Sequence, residues 1–183
     1  LTLEQMGIHP ESSHHEEGNG QNEIDFRYSD ALSAADNTMV FQRVAKIVAN
    51  RNGLAADFSP KPLKNGPGNG FHINMSVTPF EDEPFRYMIA GILEHVSPMT
   101  AFLNPSENSY LRLGQHKAPG YISWSAENRS QLVRIPAAVG EYRRAELRSP
   151  DPSANPYLAF TLMIYAGLSG IEHKMTLPTK RIV

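Results

Sequence analysis

The seven residues Phe71-His72-Ile73-Asn74-Met75-Ser76-Val77 alternate without a break, apolar at 71, 73, 75 and 77 and polar at 72, 74 and 76. Successive residues of a strand point to opposite sides, so this period predicts a β-strand with one face for a core and one that carries chemistry. A chain holding such a strand must supply a sheet for it and an apolar layer over its inner face. Arg144-Ala145-Glu146-Leu147-Arg148 repeats the pattern, with Arg144, Glu146 and Arg148 on one side and Ala145 and Leu147 on the other. A solvent-washed face usually mixes Lys, Thr and Glu; a histidine, a carboxylate and guanidinium groups together suit phosphate and a divalent metal.

Glu23 to Tyr28 also alternates like a half-buried strand, after a polar, turn-rich stretch from His14 to Gly20. Ser29 or Asp30 can cap a helix whose apolar residues recur up to Asn52-Gly53, and this helix is expected to pack on the sheet. A Pro- and Gly-rich loop then leads into the His72 strand. A second helix is predicted from Glu83 to about residue 97, with Pro84 in its first turn, and a third from Asn155-Pro156 to about Ile171. Near-continuous apolarity in the third predicts burial. Shorter strands are expected near 121–124, 132–135 and 144–148. The resulting fold class is α+β: a curved antiparallel sheet whose outer face is covered by helices at roughly 29–52, 83–97 and 155–171.

The 183 residues suffice for a single domain, 1–183, with a sizeable core. A net charge of −2 offers no bulk attraction to nucleic acid or membrane. No apolar run approaches the roughly 20 residues that span a bilayer, and the first residues do not read as a signal peptide, so the expected location is cytoplasmic. Without cysteine, any metal must be held by histidine, carboxylate or water. The candidates are Glu16, Glu23, His72 and Glu146. Taken alone, His72 reads as an ordinary satisfied histidine and Glu146 as half of a salt bridge. Their weight comes from company: Arg112, Arg129, Arg134, Arg144 and Arg148 lie in short segments with apolar neighbours, and clustered guanidinium groups call for an anionic partner.

Five blocks in order resemble the catalytic domain of the glutamine synthetase family: His14 to Ile24, Lys61 to Ser76, Asn108 to Leu113, Trp124 to Pro136, and Arg144 to Phe160. The resemblance implies ATP-dependent condensation of glutamate with ammonia through a γ-glutamyl phosphate, with Mg²⁺ or Mn²⁺ ions bridging phosphate oxygens. By that resemblance Glu16 and Glu23 match ligands of the metal next to glutamate, and His72 and Glu146 ligands of the metal next to the nucleotide. Gly68 lets the backbone approach glutamate. Arg112 and Arg148 match substrate-carboxylate arginines, and Arg129 the arginine that stabilises the transferring phosphoryl group. Asn74, Ser76, Arg134 and Arg144 fall on the ATP side, Asn74 standing where many relatives carry a second histidine. The implied partners are glutamate, ATP and ammonia or another amine, and a homo-oligomer is expected of a full-length relative.

Two departures stand out. Lys117, ahead of Ala118-Pro119, occupies the place of a flap glutamate, in a loop one residue shorter than usual. The resemblance covers the carboxy-terminal part of the catalytic domain, and the family's amino-terminal β-grasp domain has no counterpart in these 183 residues. About two ligands per metal remain, against the roughly six positions Mg²⁺ takes. Three readings follow: a synthetase or a sister γ-glutamyl-amine ligase, a catalytically silent relative that keeps nucleotide or metal binding or only the scaffold, or a structural domain with salt-bridged strand faces.

Overall fold

The computed structural model describes residues 2–126 and 128–179. In chain order the elements are α1 (Thr2–Gln5), β1 (Pro10–His15), β2 (Asn22–Phe26), α2 (Ala31–Arg51), β3 (Ile73–Met75), α3 (Asp82–Leu103), α4 (Glu107–Tyr110), β4 (Trp124–Ser125), β5 (Val133–Arg134), a 3₁₀ turn (Gly140–Tyr142), β6 (Ala145–Leu147) and α5 (Pro156–Glu172). β1 and β2 form an antiparallel hairpin, while the other strands make a sheet in the order β3-β6-β5-β4. The α+β class is as expected. Within the four-stranded sheet, β3–β6 and β6–β5 are antiparallel but β4–β5 is parallel, so the sheet is mixed.

The alternation at 71–77 does its predicted work: Ile73 is buried in the core, and Phe71, Met75 and Val77 pack against it. Ala145 and Leu147 of β6 and Val133 of β5 join the same cluster, which α3 closes with Phe85, Ile89, Ile92, Val96 and Leu103, and α5 with Ala159, Met163 and Ala166. α3 runs past the expected end near residue 97 and through Pro98 to Leu103. Pro98 removes one helical donor, but Met99 and Leu103 are buried beyond it, and tertiary burial outweighs that loss.

α5 begins as predicted, with Asn155 capping Tyr157 and Leu158 and Pro156 in its first turn. Its predicted all-round burial is corrected: Tyr157, Leu158, Ile164, Tyr165 and Leu168 are exposed, because only one side of the helix meets α3 and the sheet. α2, capped by Asp30, corrects a second expectation. Only Ala35 and Thr38 of it are buried. It packs its Phe41 edge-on to Phe26 of β2 at 5.0 Å and reaches the start of α5 through Tyr157, whose hydroxyl donates to Asp36 at 2.6 Å. The apolar side of the sheet is already covered by α3 and α5, so α2 lies against α5 instead, with the Phe41–Phe26 contact joining it to the hairpin.

α3 and α5 touch backbone to backbone. A Cβ on Gly91 would lie 2.2 Å from the Ala166 carbonyl oxygen, and one on Gly170 2.1 Å from that of Tyr87. We expect Gly91→Ala to force the helices apart and cost roughly 2–3 kcal/mol of stability, read as a lowered urea midpoint at unchanged m-value.

Candidate active site

The hairpin register pairs His14 with Glu23, and strand alternation returns Glu16 to the side of His14. One ligand atom from each of His14, Glu16 and Glu23 lies within 4.8 Å of the other two. Burial, then the charges of Asp25 and Glu16, push the Glu23 carboxyl above its ordinary pKa. A cation among these donors would relieve that repulsion. His14 is the donor group that sequence reasoning missed. The sequence HHEEGNG reads as a turn, yet its first residues belong to β1, a strand so polar that it lacks the apolar alternation by which strands are recognised. The i, i+2 spacing of His14 and Glu16 was the available signal.

Gln21 fastens the hairpin to the Pro- and Gly-rich loop, its amide donating to the Gly68 carbonyl at 3.0 Å and to the Asn69 side chain at 2.9 Å. Gly68 is required by close approach: a Cβ there would stand 2.6 Å from both the Pro60 carbonyl oxygen and Cγ of Arg112. A Cβ on Gly70 would meet Nε2 of His72 at 2.5 Å. The loop therefore leaves room for one arginine and one imidazole.

A cavity of about 820 Å³ brings Glu16, Glu23, Gly68, His72, Arg112 and Arg148 together. Lys117 also lines it. The remaining predicted residues gather elsewhere. Register places Asn74 of β3 beside Glu146 of β6, and Glu146 beside Arg134 of β5, in a row across the sheet. Ser76 is exposed beyond the end of β3, Arg129 is exposed in the turn before β5, and Arg144 is exposed ahead of β6, donating to the Tyr142 carbonyl at 3.3 Å. The candidates thus form a cavity and a sheet face that meet at His72.

Glu146 is buried with one arginine on each carboxylate oxygen. Arg148 donates to its Oε1 at 2.6 Å, Arg134 to its Oε2 at 3.1 Å, and Nδ1 of His72 stands 3.3 Å from Oε1. The salt-bridge reading of Glu146 is what the structure shows: the acid is compensated by Arg148 and Arg134, and each oxygen keeps one lone pair. Burial first, then the guanidinium groups of Arg148, Arg112 and Arg134, push the His72 pKa down to about 3. His72 is therefore an uncharged imidazole, the form that binds metal. Burial lowers the pKa of Arg112 to about 10, and Arg112 donates to the Ser149 carbonyl at 2.8 Å and the Arg148 carbonyl at 3.1 Å. It braces the chain after β6 as well as walling the cavity. The buried Nε atoms of Arg134 and Arg148 have no protein partner.

At the cavity mouth, Lys117 Nζ lies 3.2 Å from Glu17 Oε2 and 3.7 Å from Glu16 Oε2, and His116 Nδ1 lies 2.9 Å from Glu17 Oε1. The His116 and Lys117 contacts lower the pKa of Glu17.

The family model for the catalytic domain of glutamine synthetase matches residues 1–181. The chain belongs to the glutamine synthetase family. Glutamine synthetases of Pyrococcus furiosus and Methanosarcina mazei are each 48% identical to it, over 93% and 94% of its length. That of Clostridium saccharobutylicum is 46% identical over 98% of its length. The chain spans 41–44% of these three relatives. A solved structure described as a GmaS/ADP complex superposes with a TM-score of 0.86 at 33% identity, covering 99% of this chain and 46% of that one. The likeness supports the same α+β catalytic-domain fold. Among the described residues no helix is long and apolar enough to cross a membrane.

Two outcomes follow from the electrostatics. Arg148→Leu should cost about 3 kcal/mol in denaturant unfolding, because it strips the buried Glu146 of its shortest contact. The unfolded chain protonates His72 below about pH 6.5 while the folded chain resists until about pH 3, so the stability tied to His72 is full above pH 6.5 and is lost as pH falls toward 3. The stability difference between wild type and His72→Gln should therefore change between pH 7 and pH 5, with wild type losing more.

Proposed function

We propose that this chain carries the ligand-binding surface of an ATP-dependent ligase that joins ammonia to glutamate. The side-chain carboxylate of glutamate attacks the γ-phosphorus of ATP and expels ADP; the amine nitrogen then attacks the acyl carbon of the γ-glutamyl phosphate and expels phosphate. The observation that carries the reading is one cavity holding the donors Glu16, Glu23 and His72 together with Arg112 and Arg148.

In this reading Arg112 and Arg148 hold the carboxylates of glutamate, with Gly68 keeping the wall thin enough for its backbone to approach. Arg129 meets the transferring phosphoryl group, and Arg134, Arg144, Asn74 and Ser76 line the nucleotide side. The unpartnered Nε atoms of Arg134 and Arg148 suit an anion. His14, Glu16 and Glu23 would hold one Mg²⁺ or Mn²⁺, and the neutral His72 with the free lone pairs of Glu146 a second. When bound, such ions neutralise phosphate oxygens. The ADP in the GmaS complex supports the nucleotide assignment. A homo-oligomer belongs to the reading, supported by the exposed Tyr157, Ile164, Tyr165 and Leu168 of α5.

Lys117 favours a second reading, a relative that binds without synthetase turnover or a sister ligase that takes another amine, because a lysine in the cavity wall cannot serve as a carboxylate base. Calorimetric titration with a nonhydrolysable ATP analogue, with and without Mn²⁺, tests the common part. Metal-dependent binding that is lost in Glu146→Ala and Arg144→Ala supports it; equal binding by wild type and both variants refutes it. Phosphate release with glutamate and a series of amines then separates the two ligases.

A further inference from the structure

The loop after Arg112 is a compact turn aimed at the hairpin. Ala118 donates to the Gln115 carbonyl at 2.9 Å, and Gly114 to the Pro119 carbonyl at 3.3 Å. His116 sits at φ 52°, a left-handed conformation that few non-glycine residues adopt. This geometry presents His116 and Lys117 side by side to Glu17, at 2.9 and 3.2 Å, and leaves Lys117 Nζ 3.7 Å from Glu16 Oε2. Glu17 donates its own backbone N–H to Glu16 Oε2 at 2.8 Å, which holds the Glu16 carboxylate beside the Glu17 backbone, and Lys117 is shared between the two carboxylates. Glu16 therefore faces two claims: the donor set with His14 and Glu23 on one side, and a tethered ammonium on the other.

We propose that Lys117 is an internal competitor for the divalent-cation site, its ammonium and the metal sharing Glu16, so that this residue sets the metal affinity of the cavity. The proposal rests on the metal reading given above. Like charges a few ångströms apart repel even in a partly solvated site, so a dication at His14, Glu16 and Glu23 must move Lys117 off Glu16 or bind more weakly beside it. Glu17 supplies the alternative berth: Lys117 can retreat onto it, and His116 keeps the loop tethered while it does. In the sequence Lys117 stands in the place of a flap glutamate; in the fold it is a cation with two carboxylate partners.

Calorimetric titration of the full chain with Mn²⁺ alone tests this. Lys117→Met keeps the stem and removes the charge, and should bind Mn²⁺ roughly three- to tenfold more tightly, whereas Lys117→Arg should stay near wild type. Glu17→Gln removes the alternative berth and should weaken Mn²⁺ binding more in the wild-type background than in Lys117→Met, a coupling that a distant charge effect would not produce. If Glu16→Ala abolishes Mn²⁺ binding while Lys117→Met binds as wild type does, the metal reading stands and the competition does not. If Glu16→Ala binds Mn²⁺ unchanged, or wild type and Lys117→Met both fail to bind it, the metal reading falls and the competition falls with it.

Discussion

Glu146 is a charged group at only 6% exposure on a central strand, and the candidate site is arranged around keeping it paired. An ionised carboxylate removed from water is tolerable only with close, well-aligned partners. Arg148, the residue after its strand, and Arg134 of the next strand provide them, one guanidinium per oxygen. On the opposite side of β6 its neighbours Ala145 and Leu147 are fully buried, so the strand can neither turn over nor slide by one residue without exposing them and burying an unpaired charge. The register that puts Asn74, Glu146 and Arg134 in a row follows from this double constraint.

Burial first, and then the same arginines, decide the state of His72. With guanidinium groups nearby and little water, a proton on the imidazole would add positive charge to a positive neighbourhood, so the ring stays neutral. Arg112 adds to that field while bracing the segment after β6 through two backbone carbonyls. That segment turns at Asp151, which is buried, accepts from Asn104 at 2.9 Å, and leads into the Asn155 cap of α5. The electrostatics of the cavity and the anchoring of the core helix α5 are thus joined through a few backbone carbonyls.

Against the positive centre stands a negative rim. His14, Glu16 and Glu23 project from the hairpin, which is fixed below by Phe26 on Phe41 and at its turn by Gln21 on Gly68 and Asn69. Cationic groups from the 114–120 loop meet that rim, and the balance among them differs from a simple open metal site. A cavity lined by both guanidinium groups and carboxylates is suited to a ligand that carries phosphate or carboxylate together with a metal or an amine.

The sequence by itself determined the strands whose apolar period could be read and the helices whose caps were written out. The face of Phe71 to Val77, the Asp30 and Asn155 caps, and the family blocks are local properties of consecutive residues, and local properties survive without the fold. β1 escaped because Pro10–His15 has no apolar alternation, and its strand character comes from pairing with β2. The length of α3 beyond Pro98, the exposed side of α5 and the seat of α2 against α5 were set by which surfaces other elements had already covered. Tertiary structure alone decided that His14 completes a donor set, that Glu146 is held by Arg134 and Arg148, and that Lys117 rests on Glu16 and Glu17. Each of these also involves residues from different strands or loops; i, i+2 spacing can set His14 beside Glu16 and Glu146 beside Arg148, but it does not encode which atoms the fold leaves facing each other.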